Sequence, residues 1–171
     1  MSTTDVVIDA FERIRDAVYP AANGLSREEL LWRPDDESNP IAWLVWHLSR
    51  IQDDRVAALT GHEQVWTSKG WAERFALPLP ISDTGLGHSP EEVGKVVADA
   101  RSLLGYFEDV HTTTVSYVGS LDEDGLARVV DRDWDPPETV ATRLMGVVSD
   151  DLQHVGQAAY VRGIVTRRDA G

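Results

Sequence analysis

Four stretches of this chain repeat apolar residues at three- and four-residue steps, and no stretch of similar length alternates in twos. That period is the signature of amphipathic helices, so packing helix against helix is the route to a core. The first stretch, about 4 to 22, carries Val6, Val7, Ala10, Phe11, Ile14, Ala17 and Val18 and ends near Asn23-Gly24. The second, about 40 to 60, opens at Asn39-Pro40, with Asn39 as the expected N-cap and Pro40 at the first helical position. It sets Ile41, Leu44, Val45, Leu48, Ile51, Val56 and Leu59 beside a second stripe of Trp43, His47, Arg50 and Asp54. The third starts at Ser89-Pro90-Glu91-Glu92, a capping-box spacing, and is expected to continue through Leu103, Leu104 and Phe107 to about residue 118. The fourth is expected to open at Asp135-Pro136-Pro137-Glu138 and to run through Val140, Leu144, Val147, Val148, Val155 and Ala158 to Gly163.

These elements predict an all-α, four-helix bundle forming a single domain over residues 1–165, followed by a frayed tail over 166–171. Ser26 and Glu29 cap a short extra turn that ends before Pro34, with Trp32 packing over the bundle end. Residues 61–88 lose the period but hold Trp66, Trp71 and Phe75 among glycines and prolines, so they read as a long ordered loop bordering a site. Residues 120–135 form a longer connection between the third and fourth helices, whose local structure the pattern leaves open between a helical turn and a strand.

Charge and composition exclude several functions. With 16 basic against 29 acidic residues the net charge is -13, which repels nucleic acid and anionic membranes. The longest apolar run, Ile41 to Trp46, is too short to span a bilayer, and Asp5 and Asp9 stand where a signal sequence would be basic or apolar; a cytoplasmic location is expected. There is no cysteine, hence no disulfide, thiolate metal ligand or thiol nucleophile belonging to the protein.

The chemistry concentrates in Ser149-Asp150-Asp151-Leu152-Gln153-His154-Val155-Gly156-Gln157. Asp150 and His154, four apart, lie one turn above the other and can close on one ion. His47 on the second helix would supply a third ligand, leaving coordination positions open for water or substrate. Asp151, however, sits nearer the middle of the apolar face, where a carboxylate must be paired, protonated or metal-bound. The face favours Asp151 as the inward acid and the one-turn spacing favours Asp150, with the other free to orient His154. The competing reading makes both histidines satisfied core groups and pairs the acids with Arg50, Arg55 or Arg143. His62, His88 and His111 are expected in solvated positions at helix ends, and Trp43, Trp46, Trp66 and Trp71 as core and loop anchors.

Asn39-Pro40 leading through Trp43 and Trp46 to His47-Leu48, together with Asp150 and His154-Val155-Gly156-Gln157, resembles the DinB-like superfamily of metal-binding four-helix bundles over nearly the whole chain. That superfamily includes mycothiol-dependent maleylpyruvate isomerases and bacillithiol transferases. Members commonly carry a histidine where Asp150 stands here, and the mycothiol-dependent type carries a carboxylate. The resemblance therefore implies His47, Asp150 and His154 as metal ligands. It implies a divalent ion, zinc first and then nickel, iron or manganese, with mycothiol as a thiol cosubstrate attacking an electrophile. Asp54 or Asp151 would then accept a proton or orient a ligand, and Arg50 would meet an anionic substrate. The alternatives are a non-catalytic metal-binding stress-response bundle, perhaps a homodimer, and a bundle whose site is a buried salt-bridge network.

Overall fold

The computed structural model describes residues 2–168, and four long helices carry its architecture. They are α1 (Thr3–Ala22), α3 (Ile41–Thr60), α7 (Ala100–Gly119) and α9 (Val140–Arg168). Short helices punctuate the connections: α2 (Arg27–Leu31), α4 (Val65–Ser68), α5 (Trp71–Phe75), α6 (Pro90–Val93) and α8 (Glu123–Ala127). A two-stranded antiparallel sheet, β1 (Val129–Asp131) with β2 (Glu138–Thr139), precedes α9. Around the bundle, α9 packs between α1 and α3, and α7 packs between the same two helices from the other side. The apolar stripes meet along the axis, where Phe11, Ile14, Leu44, Leu48, Leu103 and Leu144 are all sealed from solvent. Burying each such side chain contributes roughly 1.5–3 kcal/mol before entropy is counted. None of the described helices is long and apolar enough to cross a membrane.

Helix starts follow local chemistry, and three differ from the expectations. Ser2, Ser26 and Ser89 close full capping boxes with Asp5, Glu29 and Glu92. The third long helix does not run on from Ser89. The chain leaves α6 at Gly94, buries Val96 and Ala98, and begins again where the Asp99 side chain accepts from Ser102 N–H at 2.8 Å. A second good N-cap therefore competes with the first, and burial of the intervening apolar residues favours the break. At α3 it is Pro40, extended at φ -75 and ψ 161, that occupies the cap position, and Asn39 does not cap it. Prolines 136 and 137 lie in the β1–β2 turn instead of opening α9, which begins at Val140 beside a reciprocal Thr139–Thr142 pair. The connection left open by the sequence contains both a helical turn and a strand. Thr166 to Arg168 continue α9, with the Arg168 guanidinium 4.7 Å over the Trp32 ring, so the expected fraying does not begin at 166; residues 169–171 lie outside the described ones.

Asp151 is the one acid buried completely in the described core, among Val147, Val148 and Val155 of α9, and neither carboxylate oxygen has a partner. Burial, with the charge of Asp150 next to it, pushes its carboxyl well above the usual range. Between the ordinary Asp value and the raised one, the folded state thus holds a proton that the unfolded chain has lost. Because the folded value is the raised one, stability is full below the ordinary Asp value and declines as pH rises towards the folded value. Asp151→Asn, which cannot titrate, should escape that decline. In chelator-treated protein the stability difference between variant and wild type should grow with pH by up to about 1.4 kcal/mol per unit, then level off. Denaturant melts between pH 5 and 8 measure it; parallel curves would show Asp151 ionised in the fold.

Candidate metal centre

α3 and α9 lie side by side, and this contact brings His47 opposite the Asp150/His154 turn. One ligand atom from each of the three residues falls within 4.8 Å of the others. His154 Nε2 stands 3.5 Å from Asp150 Oδ1, and the two imidazoles meet edge to face with centroids 4.7 Å apart. Trp43, one turn before His47, stacks on the His47 ring at 4.4 Å and stands nearly perpendicular to the His154 ring at 6.0 Å. The cluster is buried on its His47 side and half open at Asp150 and His154.

Each imidazole is held by its Nδ1 edge. His47 Nδ1 donates to the Thr84 carbonyl, and His154 Nδ1 donates to Gln157 Oε1 at 3.2 Å. Fixing the proton on Nδ1 leaves the Nε2 lone pair as the free one, the arrangement seen behind metal-ligating histidines. Asp150 Oδ2 is buried and lacks any partner, a polar atom in want of a cation. Two Nε2 lone pairs and an orphaned carboxylate oxygen form a donor set that suits a divalent ion.

Protonation follows from the same contacts. Burial lowers the His47 value, favouring the neutral ring a metal requires. His154 is raised by its hydrogen bond to Asp150. Burial pushes Asp150 up, but the His154 hydrogen bond and the charges of His154, His47 and Arg55 outweigh it and leave the carboxyl below its ordinary value. Two adjacent carboxyls in sequence are thus shifted in opposite directions, Asp150 down at the centre and Asp151 well up in the core.

The Thr84 carbonyl reaches His47 because residues 81–88 lie as a strap across α3. Gly85 has φ +89, and a Cβ built on it would come 2.8 Å from His47 Nδ1 and 3.0 Å from Trp46. Only glycine fits there. Asp83 ties the strap down by accepting from Gly85 N–H at 2.8 Å and bonding His88 Nε2 at 2.9 Å, while His88 Nδ1 accepts from Trp43 Nε1–H at 3.1 Å. Gly85→Ala should cost about 1–2 kcal/mol in backbone strain and, by pushing His47 off its carbonyl, weaken divalent-metal affinity roughly 10–100-fold. Calorimetric metal titration of the variant checks this; unchanged affinity would mean the strap does not position His47.

The other expected site residues are placed differently. Arg50 has no solvent-exposed surface. It donates to the Asp83 carbonyl at 3.1 Å, Gln64 Oε1 at 2.8 Å and Tyr106 Oη at 3.2 Å, with its charge 5.0 Å over the Trp66 ring. It cannot meet an anionic substrate and instead anchors the strap. Asp54 accepts from Gln64 Nε2 at 2.9 Å and belongs to this network, not to the triad. Asp151 turns into the core, so the residue that orients His154 is Gln157. Among the described residues neither Asp150 nor Asp151 pairs with an arginine: Arg50 lies 3.7 Å from Asp53, and Arg143 bonds Glu138. His62 is exposed as expected. His88 and His111 are not solvated: His88 is bonded on both ring nitrogens, and His111 is buried with Nε2 3.3 Å from Glu12. The four tryptophans anchor core and loop as expected.

Sequence periodicity missed Thr84 and Gly85, because a backbone carbonyl and a missing Cβ leave no apolar pattern; Gly85-Leu86-Gly87 was the available signal.

The sequence profile of the DinB superfamily matches residues 10–158. Among solved structures, the crystal structure of a conserved protein from Enterococcus faecalis superposes with a TM-score of 0.90 at 32% identity, covering 97% of this chain and 98% of that one. None of the curated proteins matches the chain.

Proposed function

We propose, for a chain that belongs to the DinB superfamily, that it is a divalent-metal-dependent thiol transferase or isomerase of the cytoplasm, using a low-molecular-weight thiol of the mycothiol kind. The observation that carries this reading is the open His47–Asp150–His154 cluster, with donor atoms within 4.8 Å and one buried carboxylate oxygen left without a partner. A divalent ion held there supplies Lewis acidity, which lowers the pKa of a coordinating thiol into the physiological range. The protein's own part is positional. Thr84 and Gln157 hold the two rings with Nε2 forward, Trp43 walls off one side, and Asp150 contributes the charge that balances the ion. Absence of cysteine from the chain fits a nucleophile that arrives with the cosubstrate.

The test is conjugation of mycothiol to monochlorobimane, followed by fluorescence, in protein loaded separately with zinc, nickel, iron or manganese. Turnover that appears with one of these ions and disappears on chelation supports the reading. Stoichiometric metal without turnover, across mycothiol, bacillithiol and cysteine, would instead make the protein a non-catalytic metal-binding bundle.

A further inference from the structure

From Thr142 to Tyr160, α9 turns ten exposed positions to solvent, and none of them is charged. On α1, by contrast, five of the nine exposed positions are charged. Met145, Leu152 and Tyr160 stand on this uncharged face, and Leu152, the least open of the three, is still 48% exposed. Leu86 and Trp134 are exposed beside it, around the cleft that Gly146 helps to line. Five of the nine large apolar side chains that the described residues expose are therefore gathered on one side of the molecule. Contiguous apolar surface of this kind marks a place where another body is received.

Charge narrows what that body is. With a net charge of -13, two copies of the chain repel wherever their acidic surfaces approach, and an anionic lipid surface is repelled as well. A face without charge lets two copies meet with nothing ionised to desolvate. The order of residues along α9 points the same way. About a point between Leu152 and Gln153 the face reads nearly alike in both directions: Ser149 balances Gly156, Gly146 balances Ala159, and Met145 balances Tyr160. Two antiparallel helices related by a two-fold axis through that point oppose these residues in the same pairs. Small residues then face small ones, which lets the backbones approach closely, and at each end a methionine sulfur meets a tyrosine ring. An added Cβ at Gly146 or Gly156 would touch nothing within 4 Å, so both notches are free to receive a neighbour.

We propose that α9 pairs with α9 of a second copy of this chain, antiparallel about an axis between Leu152 and Gln153. The register brings Tyr160 of the second copy to Met145 and Gly146, at the mouth of the cleft that contains Asp150, so each copy narrows the opening beside the other's Asp150. The pairing itself involves no ion and stands apart from the thiol chemistry proposed above. Ten positions of α9 with Leu86 and Trp134 make twelve residues a side. That is about half of the roughly 20–30 in a standard interface, which puts the dimer in the micromolar range.

Sedimentation velocity across roughly 1–300 μM protein brackets that range. The wild type should pass from monomer to dimer, and Leu152→Glu, which sets like charges beside the axis, should raise the dissociation constant roughly a hundredfold. Leu152 lies outside the core, so the variant keeps its fold. Disulfide trapping reads the register, and the absence of cysteine from the chain makes it specific. Gly146→Cys and Ala159→Cys each add a single thiol. Mixed and oxidised with diamide, the two variants should cross-link to each other, whereas each alone should stay uncross-linked. A wild type that remains monomeric overturns the inference and leaves the face to a different partner. A dimer indifferent to Leu152→Glu overturns it too, since the contact then lies elsewhere. Self-cross-linking of either variant as fast as the mixed reaction, or no mixed product at all, overturns the antiparallel register.

Discussion

His154→Ala is expected to reduce divalent-metal affinity by on the order of a hundredfold or more and to abolish thiol turnover, while the helical signal and the core survive. The residue is only half-buried, so its truncation opens no core cavity. Its loss removes one of three ligands, a larger change than the 10–100-fold that outer contacts command. Affinity in the wild type should also depend on pH in a stated direction. Asp150 raises the His154 value, so the metal-free ring holds a proton above the ordinary His range, and an ion must displace that proton to bind. Affinity should therefore fall about tenfold for each pH unit below the raised His154 value, and flatten above it. His47, lowered by burial, adds no such step near neutrality. Since an ion binding only the folded state stabilises by mass action, roughly 2.7 kcal/mol at a hundred times Kd, the thermal shift on adding zinc should vanish in His154→Ala. Elemental analysis of wild type and variant, with zinc titrations between pH 6 and 8, measures all of this. A variant that still binds one equivalent with wild-type affinity would remove His154 from the site.

Much of this arrangement was legible in the sequence, and what escaped has physical causes. The apolar period located the four long helices, because such stripes leave a trace at every third or fourth residue, whereas the expected starts of three of them were displaced. The Asp150–Asp151 pair divides along the two arguments: Asp151, on the apolar face, lies in the core, and Asp150, one turn away, lies beside His154. Arg50 was misplaced for an equally definite reason. On α3 it shares the inward stripe with His47, and the sequence could not show that Asp53, Gln64, Tyr106 and the strap occupy its guanidinium before any substrate could. Arg55, five residues on, lies on a different face of the same helix and points outward. The break at Gly94 is a choice between two N-caps, each adequate, and only the burial of Val96 and Ala98 against the bundle decides it.

Asp53→Ala is expected to cost about 3–5 kcal/mol, a large part of the roughly 5–15 kcal/mol that holds a domain folded. Asp53 is nearly sealed and accepts from Val65 N–H and Trp66 N–H, each at 2.8 Å, and from Tyr106 O–H at 2.7 Å, beside Arg50 at 3.7 Å. Burial alone raises its carboxyl, against these four partners, and keeps the Tyr106 hydroxyl well above its usual value and therefore a donor. Removing the carboxylate leaves a guanidinium buried without a counter-charge, with Arg50 Nη2 already lacking a partner, and frees the first turn of α4 from α3. The damage should reach the metal centre, because the Arg50 that loses its partner also holds the Asp83 carbonyl, one residue before the Thr84 carbonyl that orients His47. A paired replacement separates the two effects. Asp53→Leu with Arg50→Met puts apolar volume where the ion pair was, which in other buried pairs is neutral or stabilising. That double variant should recover in denaturant melts the part of the loss due to the unpaired guanidinium, though not the part due to the Val65, Trp66 and Tyr106 donors that Asp53 accepted from, and should still bind zinc more weakly than wild type, because nothing then ties the strap to α3. Recovery of both would reduce the network to a structural filler, and a single Asp53→Ala loss below about 1 kcal/mol would mean that water already reaches Arg50.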